Sequence, residues 1–400
     1  MENPVLLSST VSPTLDEKPP VVLENKPAVT TKPTTKTTIE ETFNEKVELA
    51  KQNLKDSKPT QNSNHQHIHW APLGVPLERR LQMLTMIIWN LMIPICLGIF
   101  IYAACFPTLW PLLIAYVTFI YLDKVPERGG RRFAWMRNLG FWRYFTGYFP
   151  AKLVKEHELD PSKNYVFGYH PHGIISMGAL SNFATEATGF SKTFPGIVPS
   201  LLTLSSNFRI PIYRDIIMGL GIASVSRKSC EYILSSGAGR SIVIVIGGAA
   251  ESLAARPGIN DLVLKRRLGF VRIAIKQQAR LVPVFSFGEN DLYDQLDNAK
   301  GSPVWKFQKK MQALLGFTLP LFHARGVFNY DTGLMPFRHP IVTVVGKPID
   351  VPKLEEGQIE PTQEQLEAVQ KEYIDELLEI YNKYKDVYAK DRKRDLCLID

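Results

Sequence analysis

Apolar and polar positions are distributed so unevenly that the chain divides into segments on that pattern alone. From Leu81 to Leu122 no charged side chain occurs, a run about twice the roughly 20 apolar residues that one membrane-spanning helix needs. Pro107 and Pro111 fall past its middle, where a helix cannot continue. The pattern predicts a membrane helical hairpin within 68–122, with one arm near Leu81–Cys105 and the other near Thr108–Leu122. The second arm is short, which leaves a re-entrant hairpin open. Arg79 and Arg80 precede the run, and Lys124, Arg128, Arg131 and Arg132 follow it, so both ends, and with them both termini, are expected on the cytosolic side. A helix pair buried in a soluble protein is the competing reading. Trp89, Tyr102, Trp110, Tyr116 and Tyr121 within an uncharged stretch argue against it.

The flanking segments differ in kind. Residues 1–67 are rich in Thr, Pro and Lys and bury too little apolar area to offset the entropy of ordering, so a disordered tail is expected, with a short helix near Glu40–Lys55. His65, His67 and His69 alternate there and read as solvated side chains more readily than as a metal site. The start, Met1-Glu2-Asn3-Pro4, lacks the basic-then-apolar order of a signal peptide, which assigns targeting to the hairpin. Residues 123–158 interleave Phe133, Trp135, Phe141, Trp142, Tyr144, Phe145, Tyr148 and Phe149 with Arg131, Arg132, Arg137 and Arg143. Directly after a hairpin, that mixture predicts a segment at the lipid interface and not a nucleic-acid site.

From 159 to 352 short apolar runs alternate with helical stretches. Strands are predicted at Tyr165–Tyr169, Leu201–Leu204, Ser241–Ile246, Leu281–Phe287 and Ile341–Val345. Helices are predicted at Ile174–Ala187, Lys228–Ser236, Phe270–Arg280 and Val304–Leu315. The alternation implies an α/β fold on a mixed, largely parallel sheet flanked by helices. Residues 353–400 close the chain with an amphipathic helix: Thr362 caps it, and Leu366, Val369, Tyr373, Leu377, Ile380, Tyr384 and Val387 recur at helical spacing, as a face docked on the core.

Composition narrows the class. Of 400 residues, 45% are hydrophobic and 22% charged, which excludes a wholly disordered chain or a fibrous repeat. The 4 cysteines form no Cys-x-x-Cys pair and no Asn-x-Ser/Thr sequon occurs, as suits a reducing, cytosol-facing body. Between Arg227 and Arg280 ten basic residues face three acidic ones, so this stretch carries nearly the whole of the net charge of +8. It suits a phosphate-bearing ligand or an anionic membrane.

The sharpest candidate chemistry is Tyr165-Val166-Phe167-Gly168-Tyr169-His170-Pro171-His172-Gly173. An apolar strand ends in two histidines fixed by Pro171, with Gly173 allowing close approach. Strand C-termini in open α/β sheets are where ligands bind, and imidazole suits general-base work near neutral pH. A structural turn is the alternative. No third ligand with zinc spacing accompanies the pair. Gly173-Ile174-Ile175-Ser176-Met177-Gly178 has one residue too many for a hydrolase elbow, and Gly219-Leu220-Gly221 continues to Ser224 without the third glycine of a dinucleotide fingerprint.

These blocks resemble the type-2 diacylglycerol acyltransferase family, with its monoacylglycerol and wax-alcohol relatives. The resemblance rests on Tyr148-Phe149-Pro150, on His170 to Gly173, on the turn Ile246-Gly247-Gly248-Ala249-Ala250-Glu251, and on Gly269 to Ala274 with Leu281 to Asn290. It runs from about Leu77 to Val351 and includes the hairpin. One departure is Leu268, where the family has a basic residue; here Arg267 stands one place earlier.

The resemblance implies a glycerolipid-acyltransferase-like fold and transfer of a fatty acyl group from acyl-CoA to the free hydroxyl of diacylglycerol, without an acyl-enzyme. It implies His170 as the base and His172 as a neighbouring or substrate-orienting residue. Position five after each histidine is Ile175 or Met177, so the aspartate of the wider superfamily is missing. Glu251 is the first candidate for a carboxylate that orients the histidine, and Glu289 the second. Arg227, Lys228 and Arg267 are the cations expected to hold coenzyme A; Tyr148, Phe149, Pro150, Gly173, Glu289 and Asn290 are expected at the substrates. Acyl-CoA is a substrate, and no cofactor or metal is expected. The expected partners are diacylglycerol, the bilayer of the endoplasmic reticulum and the monolayer of lipid droplets, with no nucleic acid; a homo-oligomer is left open. Two alternatives stand: a monoacylglycerol or long-chain-alcohol acyltransferase of the same family, and a non-catalytic lipid-binding hairpin protein. The acceptor, the acyl-chain preference and the role of the tail are not legible in the sequence.

Overall fold

A computed structural model of the chain describes residues 69–72, 74–295, 301, 302, 306, 310 and 322–399. The tail at 1–67 with its expected helix, His65 and His67, and nearly all of the helix expected at Val304–Leu315 lie outside the described residues.

The strands are β1 Lys152–Lys155, β2 Tyr165–His170, β3 Val198–Thr203, β4 Ala223–Ser224, β5 Arg240–Val245, β6 Asp261–Val263, β7 Arg280–Phe287, β8 Asp294–Gln295, β9 Phe322–His323, β10 Val342–Val345 and β11 Cys397–Ile399. Seven of them form one sheet in the order β1-β10-β7-β2-β5-β3-β4, every neighbouring pair parallel except β10 with β7. This is the mixed, largely parallel sheet that the alternation of runs implies.

All six residues of β2, in mid-sheet, are buried. A strand covered on both faces has to be apolar along its whole length, which is why this run stands out in the sequence. Its residues alternate between two layers. Tyr165, Phe167 and Tyr169 join a core that includes helices α1 (Leu77–Asn90) and, further along the chain, α4 (Gly140–Tyr148). Val166, and by alternation Gly168 and His170, face the other layer. That layer holds α5 (Arg227–Ser235), α7 (Gly269–Gln277) and α8 (Gln363–Tyr388). Between α5 and α7 lies the short α6 (Gly248–Ala254). Helix α8 begins as expected, with Thr362 and Gln365 forming a reciprocal capping box.

Several expectations are corrected or refined. The first apolar arm is not one helix: α1 and α2 (Met92–Ala104) meet at Leu91 with a bend of 60°. Pro94 explains the break, since it has no N–H for the Asn90 carbonyl and its ring would strike it. The second arm, α3 (Trp110–Leu122), belongs to a stretch Pro107–Glu127 of 21 residues, long and apolar enough to cross a membrane. The aromatic segment is only partly superficial, because Trp142, Phe145, Tyr148 and Phe149 are buried while Phe133 and Trp135 are exposed. The sheet also begins earlier than residue 159, with β1 at its edge.

Finally, the helix expected over Ile174–Ala187 is one α-turn at Met177–Ala179 running into a wide π-turn at Leu180–Ala184. Ser181 and Thr185 hydroxyls and the Asn182 amide donate back to the carbonyls of Met177, Ser181 and Gly178. Such bonds compete with the regular backbone ladder.

Candidate active site

The site is built at the carboxyl end of β2, where the chain leaves the sheet into the turn His170 to Ser176. His170 is fully buried. Its Nε2 lies 3.0 Å from the hydroxyl of Tyr373 on α8, and that hydroxyl donates its proton to the Gly168 carbonyl at 3.0 Å. The carbonyl can only accept, so the Tyr373 oxygen is left to accept from His170 Nε2–H. In that arrangement His170 carries its proton on Nε2. Its Nδ1, the lone-pair nitrogen of that tautomer, is buried without a hydrogen-bond partner among the described residues. Burial pushes the imidazole down to about 3, so it stays neutral through the working range of pH.

His172 has the opposite tautomer. Its Nδ1 donates to the Gly173 carbonyl at 3.0 Å, leaving Nε2 free on a half-buried ring. Burial lowers its pKa as well, against hydrogen bonds that raise it. Ser176 closes the turn by donating to the His172 carbonyl at 2.7 Å. Gly173 is at φ +60°, and a Cβ there would sit 2.8 Å from Glu289 Cγ, so glycine is required on both counts.

The two glutamates do not orient an imidazole. Glu251 accepts the backbone N–H of His172 at 2.5 Å on one oxygen and that of Val263 in β6 at 3.0 Å on the other. It holds the main chain of the turn, so the expected contact with a histidine ring is corrected. Burial drives its carboxyl up to about 7, over those two bonds and the charge of Arg267. Glu289 accepts from the Tyr169 hydroxyl at 2.6 Å and the Gly178 N–H at 2.9 Å; its Oε1 is buried without a partner among the described residues. Burial raises it to about 7 too.

The remaining expected residues separate. Arg267 lies at the site, donating to the Gly247 carbonyl at 3.3 Å beside Glu251. Arg227 and Lys228 lie on the exposed surface of α5. Arg227 pairs with Glu231 at 2.7 Å and Glu360 at 3.2 Å, and Lys228 with Glu127 at 3.0 Å. Asn290 donates to the Ile259 carbonyl at 2.8 Å and so ties down a loop. Tyr148 and Phe149 are core residues: the Tyr148 hydroxyl donates to the Pro336 carbonyl at 2.6 Å, and Arg338 covers its ring at 4.2 Å. Pro150 follows them, half-buried, ahead of β1. Sequence reasoning missed Tyr169 and Tyr373. Tyr373 was visible only as one more member of an apolar stripe.

Known proteins share this chain's sequence over most of its length. A family model described as "Diacylglycerol acyltransferase" matches residues 102–399. The chain is 62% identical over 333 residues to "Diacylglycerol O-acyltransferase 2B" of Umbelopsis ramanniana, covering 83% of this chain and 95% of the relative. It is 46% identical over 320 residues to the human "Diacylglycerol O-acyltransferase 2", 78% of this chain and 81% of that one. To "2-acylglycerol O-acyltransferase 1" of Bos taurus it is 46% identical over 328 residues, 80% and 96% of the two chains. No solved structure matches.

Proposed function

We infer the reaction from one premise, that the chain belongs to the diacylglycerol acyltransferase family. It is an acyl-CoA:diacylglycerol acyltransferase, a membrane-associated enzyme of lipid synthesis. Acyl-CoA and diacylglycerol are its substrates, and triacylglycerol and free coenzyme A its products; no cofactor takes part.

In the proposed mechanism, His170 Nδ1 takes the proton of the acceptor hydroxyl as that oxygen attacks the thioester carbonyl. The C–S bond breaks, the thiolate of coenzyme A receives the proton, and His170 returns to its neutral form without an acyl-enzyme. A positioned base contributes roughly 10²–10⁴ in rate. The observation that carries this reading is the unpartnered Nδ1 of His170 at the carboxyl end of the central strand. Because the ring is fully buried, substrate binding has to uncover it. A second reading places the proton on His172 Nε2 and is favoured by one observation, that His172 is only partly buried where His170 is fully buried.

Arg267 is the proposed anchor for coenzyme A. Arg227 and Lys228, already paired with carboxylates on the surface, are assigned a weaker, electrostatic part. Membrane residence is proposed on the exposed apolar side chains of α2 and α3, among them Ile99, Ile101, Trp110, Leu112 and Ile114. A cytosol-facing body at the endoplasmic reticulum, with residence on droplet monolayers, follows from a substrate dissolved in the bilayer.

The test is purified protein in micelles, one labelled acyl-CoA, and a panel of mono- and diacylglycerols and long-chain alcohols. The expected product is triacylglycerol. The bovine relative makes monoacylglycerol the acceptor to beat. Loss of 10²-fold or more in His170→Ala, with His172→Ala less affected, supports the first reading. The reverse order establishes the second, and no transfer by wild type leaves a non-catalytic hairpin protein.

A further inference from the structure

Tyr373 stands about two hundred positions from His170 in the sequence, yet its hydroxyl is the sole hydrogen-bond partner of that imidazole among the described residues. Three observations place it with care. Its hydroxyl also lies 3.0 Å from the Gly168 carbonyl, which can only accept, and giving the proton there leaves the oxygen to accept from His170. Gly168 leaves the room: a Cβ there would stand within 3 Å of both the hydroxyl and the ring carbon that bears it. Phe270 of α7 packs edge-on against the ring at 5.0 Å and fixes its tilt. The side chain is fully buried and its pKa is raised, so the hydroxyl keeps the one proton that the arrangement requires.

We propose that Tyr373 is the positioning residue of the reaction, holding His170 in the Nε2–H tautomer so that Nδ1 faces the acceptor alcohol as a proton acceptor. In many nucleophile–base pairs a carboxylate is the third group that orients the base. Here no carboxylate among the described residues hydrogen-bonds the ring. The phenol does the orienting from α8, an element that otherwise serves as a docked amphipathic helix. Without it, the imidazole is free to carry its proton on Nδ1 and present nothing basic to the substrate. The inference rests on His170 being the base.

The test uses the full-length enzyme in micelles with Tyr373→Phe, which deletes the hydroxyl and keeps the ring, and Tyr373→Leu, which deletes both. In Tyr373→Phe, turnover is expected to fall at least 10-fold. KM for acyl-CoA and diacylglycerol should stay within twofold of wild type, and the thermal midpoint should fall by only a few degrees and stay above the assay temperature, because two buried partners lose the hydroxyl. A Tyr373→Phe enzyme with wild-type turnover overturns the proposal, and if Tyr373→Leu alone is impaired the residue serves packing only. A loss of turnover that merely tracks a lowered midpoint overturns it as well. His170→Ala is run alongside: an inactive His170→Ala with a fully active Tyr373→Phe rejects the positioning role alone, whereas an active His170→Ala rejects the base on which it rests.

Discussion

Burial holds the Glu289 carboxyl up at about 7 despite the hydrogen bonds it accepts from Tyr169 and Gly178. The folded protein keeps that proton where the unfolded chain, with a pKa of 4.5, has lost it. The carboxyl's contribution to stability therefore falls as pH rises from the unfolded value toward about 7. Glu289→Gln removes that slope, so the variant should gain on wild type between pH 5 and pH 8, by about 3 kcal/mol at full ionisation. Denaturant unfolding at both pH values checks it, and an offset that does not change with pH rejects the shift. Comparison with wild type also cancels His170, whose depressed pKa works with the opposite sign, adding stability as pH rises from about 3 toward its unfolded value of 6.5. Gly173 gives the complementary prediction. Gly173→Ala strains φ and drives a methyl into Glu289, so turnover should fall 10-fold or more, and wild-type turnover would refute the requirement. At this scale the histidines and glycines were legible because their residue types carry the chemistry themselves. What Glu251 does was not, since a sequence names a carboxylate but not the backbone N–H that it meets. Tyr373 was hidden more deeply, because its spacing on α8 is also the spacing of a core stripe.

Elements were legible where a strand is buried on both faces or a helix carries a cap, and less so where short-range chemistry is outvoted by packing. β2, β5, β7 and α8 fall in the first group. β1 is Lys-Leu-Val-Lys at a sheet edge, too short and too charged to announce itself. β6 and β11 are shorter still, yet they pair in parallel, Asp261 to Val263 against Cys397 to Ile399. That pair carries a consequence for the site. The Val263 N–H holds one oxygen of Glu251 while the other holds the His172 backbone, so the end of the chain supports the dihistidine turn through β6. Arg394 adds an ion pair to Asp261, and the Lys393 N–H donates to the Gly258 carbonyl at 2.8 Å. Removing residues 392–400 should therefore lower turnover several-fold while leaving the body folded by circular dichroism. Unchanged turnover in the truncated enzyme would show that Glu251 holds the turn without help from β11.

At the scale of the whole molecule the question is how the apolar arms leave and rejoin the body. α1 is packed into the core through Met86, and Cys96 of α2 is still buried beyond the Leu91 bend. The chain returns along α3, whose Tyr116 hydroxyl bonds Asp215 and accepts the Ile212 N–H at 2.8 Å. Asp123, just past the helix, pairs with Arg131 and the fully buried Arg214, both at 2.7 Å. Both ends of the apolar run are thus pinned to one body. Between them α2 has 13 residues, or about 20 Å at the helical rise, against a hydrocarbon core of about 30 Å. The stretch containing α3 is long enough to cross while α2 alone is not, and the arrangement to test is a re-entrant hairpin with its tip at Cys105 to Thr108. The native cysteines test this without mutation, because Cys105 and Cys397 are exposed while Cys96 and Cys230 are buried. In sealed vesicles, a membrane-impermeant maleimide on the cytosolic face should modify Cys397 and spare Cys105. The same reagent trapped on the opposite face should modify neither, and detergent should open Cys105 to it. Labelling of Cys105 from the far face would mean that the hairpin crosses completely, and α2 would then have to be extended beyond the Leu91 bend to reach.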